Sequence, residues 1–355
     1  MRGKGLFVRF SASFRGAALL LCAALLLVSL PAGAEMFPFQ VEDGTPFPPI
    51  PLPTPTPLPA NGPPPFEEWP PLDGQGFLLA SGENGEEFVF ADDNLGQWIY
   101  VSADLRVQIR RFSARVERRD LVWYIADILF RGEQAFRVIS ADPENPSRAL
   151  SRPEVIAQKN RMVYAQNGDL FSWRLYNKEW TGLIIRNGKV LHEKTYTHAV
   201  AKIPPLDELA LFPDGHVEMR VPGELDAQGY LGRGAVDVLA FGPILFRDGV
   251  MDNRLEESFT HREPRSAIGV AGPGHFVGIM VEGRNKRSAG TGLRFVAERL
   301  LAAGCYEAFT LDGGQTAAMV FMGKNVMDPG TYNGFHNTRR QQDIIGIGRS
   351  ERAGE

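Results

Sequence analysis

The sequence predicts a single α+β domain, built on a strand-rich, mixed central sheet with a few helices and spanning residues 74–355. Two observations support this fold class. Short segments in which apolar and polar residues alternate recur along the chain, as half-buried strands require. Helical periodicity is confined to a few stretches. Before the domain we expect a signal peptide over residues 1–34 and a proline-rich linker over residues 35–73.

The strands are predicted from hydrophobic patterning. Trp98–Ser102 and Leu105–Arg110 alternate apolar and polar residues, and Phe136–Ile139 follows as a further strand. Leu121–Phe130 is apolar nearly throughout, which predicts a central strand. Asp127 interrupts that apolar run. Because a carboxylate there is costly unless it is paired, we expect a structural partner for it.

The helices are fewer and better marked. Apolar residues within 293–301 share one face at helical spacing, with Thr291 as the expected N-cap and Gly304 as the residue that ends the helix. A shorter helix is predicted over Arg152–Lys159.

The most informative motif follows a predicted βαβ crossover over Phe276–Leu311. The crossover would deliver Glu282 and Asp312 to the same edge of the sheet. Asp312 is followed by Gly313 and Gly314. A strand that ends in Asp-Gly-Gly puts a carboxylate at the rim, where glycine lets backbone N–H groups approach an anionic ligand. The alternative for such a motif is a tight turn with a solvated aspartate.

Other segments accompany this motif in a defined order. They are Glu263–Gly269, Val281–Arg284 and Arg339–Ile347, in addition to Phe309–Met319 itself. In this order and spacing the set resembles the phosphodiester glycosidase family, and the resemblance covers roughly residues 98–349. It implies hydrolysis of a sugar-1-phosphate diester, in which the enzyme holds the phosphodiester and stabilises an oxocarbenium-like sugar carbon.

The resemblance also implies roles for individual residues. It makes Asp312 the expected essential carboxylate. From its place at the same sheet edge, Glu282 is expected as a second catalytic carboxylate, and His336, close in sequence to Arg340, is a candidate general acid or base. Glu282 stands where relatives often carry aspartate. A histidine that only packs within its loop is the alternative for His336.

Arginines are the expected phosphate ligands, because the planar guanidinium bonds phosphate oxygens in pairs. We assign Arg265 and Arg340 to this role. Arg339 and Arg340 are adjacent, so in an extended segment only one of the two enters a pocket, and Arg339 is the alternative. The other implied binding residues are Asn167, Gly168, Gly313, Gly314 and Thr316.

Three departures from the family pattern leave the sugar open. Gln315 replaces the third glycine of the loop, and Ala317 lacks a hydroxyl that relatives carry. Leu170 precedes Phe171, where the family more often has two aromatic residues. Asn167-Gly168 is also a common two-residue hairpin turn, which is the structural alternative for that pair.

The N-terminal segment predicts secretion. Four basic residues precede an apolar run over residues 16–30, and Ala32-Gly33-Ala34 supplies the small residues of a cleavage site. We expect an extracytoplasmic protein, either free or held at the cell surface; only an uncleaved anchor would place it on a membrane. The linker is expected to be extended, because 14 of the 26 prolines lie between residues 37 and 72.

The net charge and the cysteine and histidine residues limit the possible ligands and cofactors. Loss of the signal segment leaves a net charge of −8, which argues against nucleic acid and leaves a glycan or sugar-phosphate substrate. Cys305 would be the remaining cysteine and is expected to be a core residue. The six histidines lack the spacing of a zinc site, so we expect no cofactor; a structural calcium ion stays an open alternative.

These observations predict a secreted phosphodiester glycosidase that acts on an exported glycan, cell-wall polymer or capsule. Two other functions are retained as alternatives. One is a non-catalytic carbohydrate-binding module on the same fold. The other is a metal-dependent phosphodiesterase, for which the sequence offers no dense Asp/His cluster.

Overall fold

The computed structural model describes residues 70–79, 87–144, 149–169, 182–199, 205–257 and 261–349. The predicted signal peptide, most of the linker and the pair Leu170-Phe171 lie outside these residues. Within the described residues the chain forms three sheets and four α-helices, and none of those helices is long and apolar enough to cross a membrane.

The largest sheet has nine strands, in the order β1-β2-β3-β4-β15-β14-β16-β12-β13. The predicted central strand is β4, which lies inside this sheet between β3 and β15. The strands are β1 Phe88–Asp92, β2 Gln97–Val101, β3 Leu105–Val116, β4 Arg119–Phe130, β12 Ile244–Arg247, β13 Val250–Met251, β14 Arg265–Gly272, β15 His275–Val281 and β16 Glu307–Leu311.

Two five-stranded sheets complete the set, in the orders β10-β9-β11-β7-β8 and β18-β17-β6-β19-β5. The first contains β7 Ile184–Arg186, β8 Lys189–His192, β9 Asp207–Leu211, β10 Val217–Arg220 and β11 Asp237–Phe241. The second contains β5 Arg137–Ser140, β6 Met162–Asn167, β17 Met319–Phe321, β18 Lys324–Asn325 and β19 Asp343–Gly348.

The helices are α1 Pro153–Lys159, α2 Ala227–Arg233, α3 Arg254–Glu257 and α4 Leu293–Ala302. Both predicted helices are present, as α1 and α4. Gly304 follows α4 in the left-handed conformation, as expected. The predicted cap is wrong: the N-cap is Gly292, which has no side chain that could cap the helix. Thr291 precedes the cap and is held in a backbone bridge to Glu263.

The core is layered. One face of the nine-stranded sheet packs through residues such as Tyr124 and Phe309 against both smaller sheets. The other face packs through Trp123 and Val277 against α4. Cys305 is buried in this second cluster, where burial raises the pKa of its thiol to about 12, so it is a core residue as predicted.

The predicted βαβ crossover over residues 276–311 is present. A mixed sheet would have parallel strands as direct neighbours, and here the two parallel strands are separated. β15 and β16 run parallel and are joined through α4, but β14 lies between them and pairs antiparallel with both. All neighbouring strands described in the sheets are antiparallel. Asp127 also has the structural partners expected of it, since it pairs with Arg106 and His275.

Candidate functional site

The candidate site lies at the edge of the nine-stranded sheet where β14 begins. Arg265 pairs with Val281 at the end of β15, and Ser266 pairs with Leu311 at the end of β16. The two segments that follow these strands therefore leave the sheet on either side of Arg265. This register confirms that Glu282 and Asp312 share an edge.

Asp312 is partly exposed and firmly placed by its backbone. Its carbonyl accepts from the Asn167 amide at 2.7 Å, and its N–H donates to the Gly168 carbonyl at 3.4 Å. Its carboxylate Oδ1 accepts from the Gly313 N–H at 2.8 Å. The strand end thus presents a carboxylate whose main chain is fixed by the neighbouring sheet.

Gly313 and Gly314 allow the backbone to approach Pro264 closely. A Cβ on Gly313 would lie 2.7 Å from the Pro264 carbonyl oxygen, which in turn accepts the Gly314 N–H at 2.9 Å. Because the Gly313 N–H donates to Asp312, both amide groups already have acceptors within the protein. The sequence predicts that these N–H groups contact an anion, but in this conformation both are bonded within the protein. The glycines instead let the chain pass close to the start of β14.

Arg265 is half-buried beneath this loop. Its Nε donates to the Thr291 carbonyl at 3.0 Å and its Nη2 to the His261 carbonyl at 2.6 Å. Burial lowers the pKa of its guanidinium; the carboxylates of Glu263 and Asp312 act in the opposite direction. Among the described residues no carboxylate forms a salt bridge with Arg265, so its charge is available to an anionic ligand.

Two arginines that the prediction did not select lie beside the loop. Arg284 Nε donates to the Glu263 carboxylate at 2.7 Å, and its Nη atoms lie 3.4 Å from the position of a Cβ on Gly314. Its guanidinium carbon is 4.8 Å from the centre of the Tyr332 ring. The Arg339 guanidinium carbon is 6.0 Å from the centre of that ring, and the backbone N–H of Arg339 donates to the Gln315 carbonyl.

The structure therefore favours Arg339 over Arg340 as the arginine that faces the site. Arg339 is half-buried against the glycine loop, whereas Arg340 is exposed. Arg339 is the alternative that the sequence left open, and the assignment of Arg340 to the phosphate stays a prediction that this geometry does not favour.

Glu282 occupies a closed environment. Its carboxylate is 0% exposed and accepts two bonds from Arg287, at 2.5 and 2.8 Å, and one from the Tyr124 hydroxyl at 2.7 Å. The Asn285 amide and the Asp328 N–H also donate to it. A carboxylate with five donors and no exposure anchors the surrounding loops, and a catalytic role for it stays a prediction that this geometry does not favour.

His336 is exposed in the loop that follows Asp328. Its Nε2 lies 3.5 Å from a carboxylate oxygen of Asp328, and its Nδ1 lies 3.2 Å from the Thr331 hydroxyl. These contacts fit a histidine that organises its loop. A role as general acid or base remains a prediction.

Asn167 and Gly168 connect two sheets. Asn167 is fully buried at the end of β6 and pairs with Ile344, so it does not form a hairpin turn. Its side-chain amide donates to the Asp312 and Gly168 carbonyls and accepts from the Ala318 N–H, which leaves it closed to a sugar. A Cβ on Gly168 would lie 1.9 Å from Asp343 Oδ1. Both residues position Asp312, and the predicted substrate contact would need this packing to open.

Thr316 is buried in a short 3-10 turn over Gly314–Thr316. Its hydroxyl has no hydrogen-bond partner among the described residues, and its carbonyl accepts from the Gln341 amide at 2.7 Å. A direct bond from this hydroxyl to substrate stays a prediction.

The sequence analysis did not select Arg284 or Tyr332 as site residues. Arg284 lies inside one of the segments that carry the family resemblance, so its position after Glu282-Gly283 was the available signal. Nothing in the pattern around Tyr332 marks its ring as the common neighbour of two arginines. No group of three or more metal-ligating side chains is found in the described part of the chain, and the absence of a cofactor stays a prediction.

Comparison with known proteins shows what the chain is similar to. The profile of the phosphodiester glycosidase family (NAGPA) matches residues 160–348. The SPbeta prophage-derived uncharacterized protein YomE of Bacillus subtilis (strain 168) is 30% identical over 193 residues, which are 53% of this chain and 29% of that protein. The chain thus spans less than a third of that relative.

A solved structure shares the fold. The zebrafish N-acetylglucosamine-1-phosphodiester alpha-N-acetylglucosaminidase catalytic domain, auto-inhibited by its pro-peptide, superposes with a TM-score of 0.56 at 18% identity. The match covers 75% of this chain and 89% of the zebrafish chain.

Proposed function

Because the chain belongs to the phosphodiester glycosidase family, we propose that it is a secreted enzyme that hydrolyses a sugar-1-phosphate diester in an exported glycan, cell-wall polymer or capsule. One observation carries the proposal: a partly exposed carboxylate, Asp312, lies at the same sheet edge as three arginines. An anionic diester attached to an electrophilic sugar carbon requires both kinds of group.

The arginines are suited to hold the phosphate. Arg284 and Arg339 border the Tyr332 ring on the open side of the loop, and Arg265 lies below Gly313. Arg265 is held by two backbone carbonyls, so its charge is fixed in place without being neutralised by a carboxylate salt bridge among the described residues. In a partly buried site such a charge acts on an anion more strongly than it would in water.

Asp312 is suited to the sugar carbon. Its carboxylate would stabilise the positive charge that develops there as the bond from the anomeric carbon to the phosphate oxygen breaks. Water supplies the hydroxyl of the released sugar, and the phosphate departs as a monoester. A phosphate leaving group needs little protonation, so the proposal does not require a second carboxylic acid as general acid.

The test is hydrolysis of a panel of sugar-1-phosphate diesters by the full chain in water enriched with oxygen-18. We expect free sugar that carries the label, and loss of that product in Asp312→Asn. Label in the phosphate would instead indicate cleavage of the phosphorus–oxygen bond by a phosphodiesterase. Glycan binding without turnover of any diester would indicate a binding module.

An extracytoplasmic location is part of the proposal, and the basic and apolar pattern of residues 1–34 supports it. N-terminal sequencing of the protein recovered from outside the cytoplasm should start at Glu35. An intact N-terminus on a membrane-bound product would favour the uncleaved anchor.

A further inference from the structure

A buried arginine lies between the two five-stranded sheets. Arg186 is the last residue of β7 and is 5% exposed. Its Nη2 atom lies 2.7 Å from a carboxylate oxygen of Asp343, at the start of β19, and 3.5 Å from a carboxylate oxygen of Asp169, which follows β6. Its Nη1 atom donates to the carbonyls of Ile185 and Val238 at 3.0 and 2.6 Å. Arg186 therefore joins one sheet to the other.

Burial makes these charges costly. We call the three side chains Arg186, Asp169 and Asp343 the Arg186 network. All three are nearly closed to solvent, so one cation and two carboxylates are withdrawn from water together. The cost is on the order of several kcal/mol for each ion, and packed apolar side chains in place of such a group are often neutral or stabilising. Stability alone therefore does not account for a charged network at this place.

The Arg186 network encloses Gly168. A Cβ on Gly168 would lie 1.9 Å from Asp343 Oδ1, so the Asp343 carboxylate packs directly against the Gly168 backbone. The next residue in the chain, Asp169, is anchored as well, because its Oδ2 accepts from the Ala240 N–H at 2.9 Å. Gly168 thus lies beside one carboxylate in space and another in sequence, and both carboxylates bind the same guanidinium of Arg186.

Asp312 depends on this part of the backbone. It lies one residue beyond β16, past the pairing of Leu311 with Ser266 that ends the ladder between β16 and β14. Beyond that ladder its N–H donates to the Gly168 carbonyl and its own carbonyl accepts from the Asn167 amide. A displacement of Gly168 is therefore passed directly to the residue that carries the candidate catalytic carboxylate.

We propose that Arg186 is a positioning residue for the reaction: through Asp343 and Gly168 it fixes the backbone of Asp312. This inference rests on the proposed function, because it takes from there the role of the Asp312 carboxylate at the sugar carbon. Arginine suits the place because its planar guanidinium meets two carboxylates and two carbonyls at once, whereas the lysine ammonium has three donors and no fixed plane. Side chains that act on a reacting centre need such support, since a misplacement of about 1 Å costs about a hundredfold in rate.

Loss of positioning should lower kcat and leave KM unchanged. The arginines at the site hold the phosphate in the ground state and in the transition state alike, whereas Asp312 acts on a charge that develops only in the transition state. For Arg186→Lys in the full chain we expect kcat on a sugar-1-phosphate diester to fall about tenfold and KM to change less than about twofold. Lysine keeps the positive charge, so the two buried carboxylates remain compensated.

Arg137→Lys is the matched control. Arg137 on β5 pairs with the buried Asp237 on β11 at 3.0 Å, so it links the same two sheets through a different carboxylate. This variant should change kcat and KM by less than about twofold. Equal losses of kcat in the two variants, or an effect of Arg186→Lys confined to KM, would overturn the positioning role. Circular dichroism at the assay temperature shows whether each variant is folded. If Arg186→Lys does not fold, Asp343→Asn keeps the shape of that side chain without its charge and should show the same effect on kcat.

Hydrogen exchange separates this inference from the proposed function. The Gly313 N–H donates to the Asp312 carboxylate, so its exchange rate, followed by NMR, reports on that carboxylate without any substrate. We expect Arg186→Lys to accelerate this exchange by about fivefold or more, and Arg137→Lys to leave it within about twofold. If the wild type hydrolyses no diester, faster exchange in Arg186→Lys alone would support the positioning role although the proposed function fails. An exchange rate that Arg186→Lys leaves unchanged would overturn it.

Discussion

Glu282 and Asp312 follow two parallel strands of one sheet and reach the same edge, yet their surroundings differ. Glu282 is sealed from water and accepts bonds from five donors, two of them on Arg287. Asp312 is partly exposed, and the bond described for its carboxylate comes from the adjacent Gly313 N–H. The comparison teaches that two carboxylates at one sheet edge can differ in access, because Glu282 is sealed from solvent whereas Asp312 can be reached from it.

The largest effect is expected at Asp312. Asp312→Asn should lower kcat on a sugar-1-phosphate diester by about a thousandfold, because an amide cannot stabilise the developing positive charge. Stability should change by less than about 0.5 kcal/mol, because the amide oxygen can still accept from Gly313. Steady-state kinetics and urea unfolding measure both quantities. Asp248→Asn, in an exposed loop, is the control.

At Glu282 the expected pattern is reversed. Glu282→Gln should lower the free energy of unfolding by about 3 kcal/mol, because Arg287 loses a bidentate partner and buried donors face an amide. Urea unfolding measures it. A variant that is as stable as the wild type but as inactive as Asp312→Asn would overturn the comparison and restore the catalytic role.

A third carboxylate sharpens the contrast. Glu208 is fully buried and accepts from the Tyr230 hydroxyl at 2.8 Å, but no cation forms a salt bridge with it among the described residues. Burial raises the pKa of Glu208 to about 7. Since the folded protein then holds a proton that the unfolded chain releases near pH 4.5, this contribution to stability is present below pH 4.5 and is lost as the pH rises through 7.

Glu208→Gln should remove that pH dependence. We expect the difference in unfolding free energy between pH 5 and pH 8 to shrink by about 2 kcal/mol relative to the wild type. Urea titrations at the two pH values measure the change. An unaltered difference would mean that Glu208 is ionised in the folded protein at both pH values.

The smallest effect concerns the adjacent arginines. Arg339→Met should lower kcat/KM about tenfold through loss of a charge-assisted bond to phosphate, and Arg340→Met should lower it less than twofold. Each variant serves as the control for the other. A larger effect at Arg340 would restore the sequence-based assignment.

Much of the fold followed from patterning that packing reinforces. Leu121–Phe130 is apolar on both faces and lies inside the sheet, and the spacing within residues 293–301 gave α4. The placement of β14 between two parallel strands did not follow, because strand order depends on long-range pairing. The edge of the site was predictable from the ends of β15 and β16, since both strands are short and apolar.

The roles of individual polar groups were less predictable. Asn167-Gly168 and Asn333-Gly334 are the same dipeptide, but the first ends a buried strand and the second forms a hairpin turn. Sequence alone does not distinguish them, because the outcome depends on which residues pair across them. The same applies to Glu282, whose donors come from positions as distant as Tyr124 and Asp328.

The position of β14 has a consequence for motion. Hydrogen-bond ladders on both sides hold this strand, so widening the gap between Asp312 and the 282–284 turn would break a ladder along its whole length. The sheet therefore fixes the spacing between Asp312 and the 282–284 turn. The 328–341 segment lies outside these ladders, so its amide hydrogens should exchange with solvent well before those of Ser266–Gly269.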